Sequence, residues 1–334
     1  MSTVRLSLLE ISALAKRVFS DNGCDAENTE ALVRTVVSAE RDGAKSHGLF
    51  RVPGYVASLR SGKVNGKAQP TVIHKTPAIV AVQGDNGYAP LALERGVPAL
   101  AEAARSLGVA VMAITRTHHF AALWPETEAL ASRGLIGMAC VCYTPLMAPA
   151  GGNRPLFGTN PMSFAWPRPG LPSAVFDMAS AAMALGEVQI AARDGHSVPL
   201  GTGLDADGQL TTNPKEILGG MLLPFGGYKG SAIALMVELL AAGAIGEMFS
   251  YEAALVDNGD GGPPCGGEFM LAISPLLLAD AGWAEHCEGF FSRFEAIEGA
   301  RLPGSRRHKN RASGEFREID SALVECITRL CGSR

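Results

Sequence analysis

The chain has 334 residues, of which 47% are apolar and 19% charged, and its formal net charge is -4 at pH 7. This composition excludes a disordered chain, and the length predicts one large unit or two to three interlocked α/β units. A weakly acidic chain lacks the positive surface potential that binds nucleic acid or anionic lipid, so we expect small-molecule partners. We see neither a signal segment nor the roughly 20-residue apolar run that a bilayer requires, so we expect a cytoplasmic protein.

The chain begins with two predicted helices. Ser7 and Glu10 have the spacing of a capping box, which predicts a helix that ends at Asn22-Gly23. Apolar residues at helical spacing predict a second helix over 25–41. The polar segment that follows therefore lies at the exit of a helix.

Strands and helices alternate through the rest of the chain, which predicts a mixed α/β fold. A segment rich in Gly, Pro and Asp at 257–267 predicts a surface loop before the last of the strands. Strands are predicted at 78–82, 109–115, 135–143, 162–166, 174–176 and 268–274, and helices at 91–107, 121–132, 180–193, 230–244, 284–299 and 319–331.

Three chemically useful side chains lie within six residues, between glycines, at 46–51. Ser46 offers a hydroxyl, His47 an imidazole that titrates near neutral pH, and Arg51 a guanidinium that matches a carboxylate. This set can bind a carboxylate and move a proton, although a turn whose polar groups only face water is equally compatible. A serine hydrolase is disfavoured, because adjacent side chains seldom place the hydroxyl for deprotonation and no G-x-S-x-G elbow is present.

Phosphate-binding motifs are weak in this sequence. The near match to G-x-G-x-x-G at 201–206 runs into an Asp-Gly turn, so no helix N-terminus is expected there to hold a pyrophosphate. The segment 226–231 lacks P-loop spacing, but its glycines and Lys229 at a helix start suit an anion. The segment 301–309 concentrates cations in a predicted loop that either binds a phosphate monoester or is simply solvated.

Other polar residues have two interpretations each. The seven cysteines form no repeated framework, which predicts reduced thiols, and Cys140 and Cys142 are interpreted as small buried groups rather than metal ligands. The pair His118-His119 suits metal ligands, cofactor contacts or a satisfied polar pair. Thr159 in a turn and Asp177 at a strand end suit ligand contacts or plain capped turns.

Six motifs in this order resemble the malate/L-lactate dehydrogenase-like family of NAD(P)H oxidoreductases, whose fold is distinct from the Rossmann type. The run 118–125 is most similar to the branch that reduces the cyclic imino acids Δ1-piperideine-2-carboxylate and Δ1-pyrroline-2-carboxylate with NADPH. The motifs are Ser46-His47-Gly48 with Arg51, His118-His119-Phe120, 156–161, Phe176-Asp177-Met178-Ala179, 226–230 and Arg301-Leu302-Pro303-Gly304.

The resemblance implies a non-Rossmann NAD(P)-binding α/β fold, with a mixed sheet and helical N- and C-terminal parts. It implies a helical substrate and dimerisation domain formed by 1–75 with 284–334, a cofactor-binding domain at 76–283, and a homodimer with the site near the subunit interface. NADPH is the implied cofactor, with NADH as an alternative, and no metal is implied. The implied cofactor contacts are His119, Phe120, Ala121, Ala122, Leu123, Asp177, Met178, Ala179, Lys229, Arg306 and Arg307.

The resemblance also implies roles at the reacting centre. Arg51 would hold the substrate carboxylate, with Thr159 as a second contact. His47, with Ser46 and Glu187 as a relay, would maintain the proton on the imine nitrogen and connect it to solvent. Hydroxy-acid enzymes of the family tend to carry lysine where this chain has Glu187. A carbonyl gains negative charge on reduction whereas an imine must be protonated, so an acid there favours the imine. Imine-reducing members carry Asp at this position, so Glu187 is a departure, and a surface glutamate is the alternative interpretation.

Three other functions stay open. A 2-hydroxy-acid dehydrogenase of the malate or lactate type would use His47 to protonate a carbonyl oxygen. A noncatalytic small-molecule-binding protein would keep a degenerate site. A pyridoxal enzyme would use Lys229 as its nucleophile.

Overall fold

The computed structural model describes residues 2–279 and 281–332. The predicted domain ranges also take in Met1, Asp280, Ser333 and Arg334, which lie outside the described residues. No helix among the described residues combines the length and apolar character needed to span a bilayer.

Twelve strands and thirteen α-helices are described, with a short 3-10 helix at Leu49–Arg51 and a π-helical turn at Leu239–Gly243. The strands are β1 Thr3–Ser7, β2 Thr71–Thr76, β3 Ile79–Tyr88, β4 Val109–His118, β5 Ile136–Val141, β6 Met162–Trp166, β7 Ala174–Met178, β8 Gly203–Leu204, β9 Leu210–Thr211, β10 Met221–Leu222, β11 Cys265–Ile273 and β12 Phe316–Asp320. The helices are α1 Leu8–Asp21, α2 Ala26–Arg41, α3 Val52–Arg60, α4 Ala89–Leu107, α5 Trp124–Ala131, α6 Leu185–Asp194, α7 Pro214–Gly219, α8 Tyr228–Glu238, α9 Ser250–Val256, α10 Pro275–Leu278, α11 Trp283–Glu295, α12 Ser305–Ala312 and α13 Ser321–Leu330.

A seven-stranded mixed sheet in the order β2-β3-β4-β11-β5-β6-β7 forms the centre of the fold. Only β3 and β4 pair in parallel, and the other neighbours are antiparallel. Apolar residues of α4 and α5 pack with the central strands in one core cluster, while α1, α2, α3 and α13 form a second. The sheet and the helical ends confirm the predicted fold class, and the domain boundaries stay a prediction.

The two ends of the chain meet in a small sheet in which β1 pairs antiparallel with β12. The predicted capping box is confirmed, since the Ser7 hydroxyl accepts from the Glu10 N–H at 3.2 Å and the Glu10 carboxylate accepts from the Ser7 N–H at 2.7 Å. Sequence periodicity missed both short strands because a two-stranded ribbon of five residues per strand carries too little pattern to stand out.

Some predicted elements were wrong in their extent or type. The helix predicted over 180–193 begins only at Leu185, because the backbone of Ser180 and Ala182 is hydrogen-bonded to 223–225. The basic segment predicted as a loop contains α12, which starts after Gly304 at a φ of 90°. The near match to G-x-G-x-x-G leads into a hairpin between β8 and β9, which confirms that no helix N-terminus follows it.

Candidate active site

A cavity of about 640 Å³ lies between the turn after α2, the segment after β4, the first turn of α6 and the start of α12. Most of the predicted site residues line it, although they come from six separate parts of the chain. Those that line it are Ser46, His47, Arg51, His119, Phe120, Ala121, Ala122, Thr159, Asp177, Met178, Ala179, Glu187, Arg306 and Arg307.

Two predicted cofactor contacts do not line this cavity. Leu123 is fully buried in the core cluster that α4 and α5 form with the central strands, and its backbone N–H donates to Asp177. Lys229 is exposed in the first turn of α8, after the left-handed Gly226 and Gly227. Their contact with a cofactor stays a prediction.

The turn after α2 brings Ser46 and His47 together at the cavity. The Ser46 hydroxyl lies 2.9 Å from Nδ1 of His47, within hydrogen-bond distance. The expectation that adjacent side chains seldom meet in this way was therefore wrong here, because the turn folds both side chains to one side. Burial is the main cause that lowers the pKa of His47 to about 3, and the positive charge of Arg51 contributes to this lowering. His47 is thus neutral in the free protein at pH 7.

Arg51 provides a buried positive charge in the cavity wall. Its guanidinium carbon lies 4.6 Å from the Phe120 ring centroid, and Nη1 donates to the Gln189 amide oxygen at 3.3 Å. Among the described residues no carboxylate pairs with Arg51, and its Nε is buried without a partner. A buried, unpaired guanidinium is costly, and a ligand carboxylate would relieve that cost.

Gly186 allows α6 to approach this guanidinium closely. A Cβ atom at Gly186 would lie 2.7 Å from Arg51 Nη2 and 2.9 Å from Ser46 Cβ, so any side chain would displace one of them. The next residue, Glu187, is exposed at the cavity. Sequence analysis missed Gly186, Gln189 and the cavity-lining Tyr143. A glycine one residue before Glu187, inside the first turn of a helix, was the available signal for the first of these.

A strained turn holds Thr159 at the cavity. Asn160 has a φ of 39°, and its amide donates to the Ala234 carbonyl at 3.1 Å and to Glu238 at 2.8 Å. The Ser180 hydroxyl donates to the Asn160 carbonyl at 2.7 Å. The turn is therefore held by hydrogen bonds of Asn160 to other parts of the chain, and it places Thr159 in the cavity wall.

Asp177 has a structural role besides lining the cavity. One carboxylate oxygen accepts from the backbone N–H groups of Leu123 at 2.7 Å and Trp124 at 3.0 Å. These are N–H groups at the N-terminus of α5, so Asp177 satisfies donors that the helix leaves open. This capping explains why α5 begins at Trp124 rather than at the predicted residue 121.

Helix α12 presents Arg306 and Arg307 to the cavity. Arg307 donates to the Val175 carbonyl at 2.7 Å and lies 5.1 Å from the Trp124 ring centroid, while Arg311 pairs with Asp42 and Glu128. Arg306 is exposed, and no carboxylate among the described residues pairs with it. The helix is thus anchored by two arginines and leaves the third available to an anion.

Glu40 lies beneath the Ser46-His47 turn and is almost fully buried. Its carboxylate accepts from the Leu49 N–H at 2.7 Å, and a Cβ at Gly48 would lie only 2.1 Å from one of its oxygens. Burial raises the pKa of Glu40 to about 7, against the lowering effect of this hydrogen bond and of Lys45 and Arg317. The turn therefore lies over a carboxyl group that titrates near neutral pH.

This raised pKa predicts a pH-dependent stability. The folded protein binds the Glu40 proton more tightly than the unfolded chain, so the stabilisation is complete below pH 4.5 and is lost as the pH rises to about 7. Glu40→Gln keeps an acceptor for Leu49 without the charge. We expect the variant to gain on the order of 3 kcal/mol relative to wild type between pH 5 and pH 8, by urea unfolding. An equal difference at both pH values would contradict the prediction.

Known proteins are similar to this chain in both sequence and fold. The family model for malate/L-lactate dehydrogenase matches residues 6–325. A Δ1-pyrroline-2-carboxylate reductase of Pseudomonas fluorescens is 44% identical over 312 residues, 92% of this chain and 93% of that protein. A Δ1-pyrroline-2-carboxylate/Δ1-piperideine-2-carboxylate reductase of Pseudomonas aeruginosa is 43% identical over 310 residues, with shares of 92% and 93%.

A solved structure gives the same result. The crystal structure of Δ1-piperideine-2-carboxylate reductase from Pseudomonas syringae aligns with 99% of this chain and 100% of its own, at a TM-score of 0.92 and 43% identity. The family model covers nearly the whole chain, and the relatives agree with it in sequence and in fold. This chain therefore belongs to the malate/L-lactate dehydrogenase family.

Proposed function

We propose that this protein is an imine reductase that converts Δ1-pyrroline-2-carboxylate and Δ1-piperideine-2-carboxylate to L-proline and L-pipecolate, with NADPH as reductant. The names of its relatives support this substrate class. The observation that carries it is the buried guanidinium of Arg51, which pairs with no carboxylate of residues 2–279 and 281–332 and lies beside the Ser46-His47 pair in one cavity. A cyclic imino acid has a carboxylate for the first group and a ring nitrogen for the second.

The cavity has groups that suit a nicotinamide dinucleotide. Reductases of this family use such a cofactor, and when bound it supplies a hydride. The segments after β4 and β7 form one wall, with His119 and Met178, and the free Arg306 at the start of α12 suits an anionic group. The preference for NADPH over NADH rests on that arginine.

Side chains of this protein bind the substrate carboxylate and control the proton on the substrate's ring nitrogen. Arg51 and Thr159 bind the carboxylate of the substrate. A substrate carboxylate on Arg51 would offset the positive charge that adds to burial in lowering the pKa of His47, so substrate binding favours protonation of His47 without removing the larger effect of burial. Glu187, exposed at the cavity, then favours the protonated ring nitrogen. Ser46 holds the His47 ring through Nδ1.

A comparison of substrates and cofactors tests the proposal. Absorbance of the reduced nicotinamide is followed with the five- and six-membered imino acids, pyruvate and oxaloacetate, each with NADPH and with NADH. We expect fast oxidation of NADPH with the imino acids only. Faster turnover of the oxo acids would identify a 2-hydroxy-acid dehydrogenase, and ligand binding without any oxidation would identify a noncatalytic binding protein.

Arg306 is expected to set the preference for NADPH. Arg306→Gln removes the free cation without disturbing the anchors of α12, and we expect about a tenfold rise in KM for NADPH with little change for NADH. Lys309→Gln, exposed on the same helix and outside the cavity lining, is the matched control. An equal effect of Arg306→Gln on both cofactors would contradict this assignment.

We also propose a homodimer in the cytoplasm. The exposed Tyr228, Leu235 and Leu239 are spaced by seven and four residues, so they share one face of α8 and the helical turn after it. Burial of that face between two copies would remove it from water. Light scattering is expected to give twice the mass of the chain, and Leu239→Glu is expected to lower it. A monomer at micromolar concentration would contradict the proposal.

A further inference from the structure

Two carboxyl groups lie behind the cavity wall without an ordinary set of partners. Glu126, in the first turn of α5, and Glu268, in the middle of β11, are both buried. Glu126 Oε1 lies 3.1 Å from His119 Nε2, and Glu268 Oε2 lies 3.7 Å from the same nitrogen. Apart from each other, the described residues offer no hydrogen-bond partner to Glu126 Oε2 or to either oxygen of Glu268.

The charges around the pair do not compensate two carboxylates. Besides His119, the facing titratable groups are Asp177 of β7, Tyr55 of α3 and Cys140 of β5. No arginine or lysine among the described residues pairs with either glutamate. Two like charges this close in a buried site cannot both persist, so the pair must retain a proton. Burial accordingly raises the pKa of both groups well above the usual range.

The geometry indicates which glutamate carries the charge. Glu126 lies at the N-terminus of α5, where the helix dipole favours an anion, and its Oε1 lies within hydrogen-bond distance of His119 Nε2. Glu268 has neither advantage, since it lies in the interior of a strand and lacks a hydrogen bond from His119. A protonated Glu268 would donate a hydrogen bond to Glu126 Oε2, so Glu126 Oε2 and one oxygen of Glu268 would each gain a partner.

His119 connects this pair to the cavity. Its Nε2 points to Glu126, while its Nδ1 has no hydrogen-bond partner among the described residues and the side chain lines the cavity. When Nε2 carries the hydrogen, Nδ1 of the neutral ring is an acceptor. Burial lowers the pKa of His119, which favours this neutral form.

We propose that Glu126 and Glu268 are positioning residues that share one proton, carry one negative charge together, and hold His119 with Nε2–H directed inward and Nδ1 directed to the cavity as an acceptor. On the function proposed above, that acceptor would be available to an N–H donor of the bound dinucleotide. The protonation of the pair and the ring tautomer belong to the protein alone, so they are testable whether or not that function is correct.

The number of protons released on unfolding tests the shared proton. Glu268→Gln has the shape of the protonated acid and leaves Glu126 as the single charge. At pH 7.5 both glutamates of the unfolded wild type are ionised, so unfolding by denaturant in weak buffer should release about one proton more from wild type than from Glu268→Gln. Equal release from the two proteins would overturn the proposal.

Infrared spectroscopy gives a second measurement on the folded protein. Glu40 is partly protonated at neutral pH in both proteins, so its band cancels in the difference spectrum of wild type minus Glu268→Gln. We expect a carboxylic-acid C=O band to remain in that difference spectrum. Absence of this band from the difference spectrum would overturn the proposal. A stoichiometric Zn²⁺ ion that chelation removes from wild type but that Glu268→Gln never holds would overturn it too, because a cation would then replace the proton.

The His119 tautomer and dinucleotide affinity test the positioning role. Nitrogen-15 NMR is expected to show His119 protonated on Nε2 in wild type and in Glu268→Gln, and the double variant Glu126→Gln/Glu268→Gln should show a mixture. The Kd for NADPH should change less than twofold in the single variant and rise about tenfold in the double variant. An unchanged tautomer in the double variant would overturn the role. If wild type binds neither NADPH nor NADH, the proposed function fails while the proton count and the tautomer still decide this inference.

Discussion

Replacing His47 with alanine is expected to lower kcat by two or more orders of magnitude, while the Kd for NADPH stays nearly unchanged. The imidazole lies within hydrogen-bond distance of Ser46 and close to the charge of Arg51 in the cavity, so its loss removes the group that exchanges a proton with the ring nitrogen of the substrate. Steady-state kinetics with the imino acids and fluorescence titration with NADPH measure the two effects separately.

Two control variants separate this role from a structural one. Ser46→Ala removes the 2.9 Å partner of His47 Nδ1 but keeps the ring, so it should reduce kcat far less than His47→Ala does. His74→Ala, at an exposed histidine of β2, should have no effect. Wild-type turnover in His47→Ala would remove this histidine from the mechanism.

Arg51→Leu is expected to lower kcat/KM roughly 100-fold or more, chiefly through KM for the imino acid, because the substrate carboxylate would enter a buried site without its partner. Steady-state kinetics with the imino acids at pH 7 give kcat and KM separately.

The outcome for Arg51→Lys distinguishes charge from geometry. Lysine keeps the positive charge but lacks the planar fork, so we expect it to recover only part of the lost affinity. Arg105→Leu, at an exposed arginine of α4, is the matched control for loss of an arginine. An unchanged KM in Arg51→Leu would show that the carboxylate binds elsewhere, and urea unfolding would identify any loss of folded protein.

Local features of this protein were predictable from short stretches of sequence. The capping box at Ser7, the strand at Met162–Trp166 and the chemically useful turn at 46–51 each depend on neighbouring residues, whose preferences act over a few positions. Element ends were predicted less well. The start of α5 at Trp124 is set by the carboxylate of Asp177, more than fifty positions away, and no local pattern contains that contact.

The sequence by itself determined which side chains were available for chemistry, the alternation that makes the fold mixed α/β, and the family motifs that select the candidate site. Only the tertiary structure decided that no carboxylate in the described part of the chain pairs with Arg51, that Gly186 lets α6 reach it, and that Glu126 and Glu268 meet behind His119. The physical reason is that hydrogen-bond partnership, burial and pKa depend on distances between groups far apart in the chain, and folding alone sets those distances.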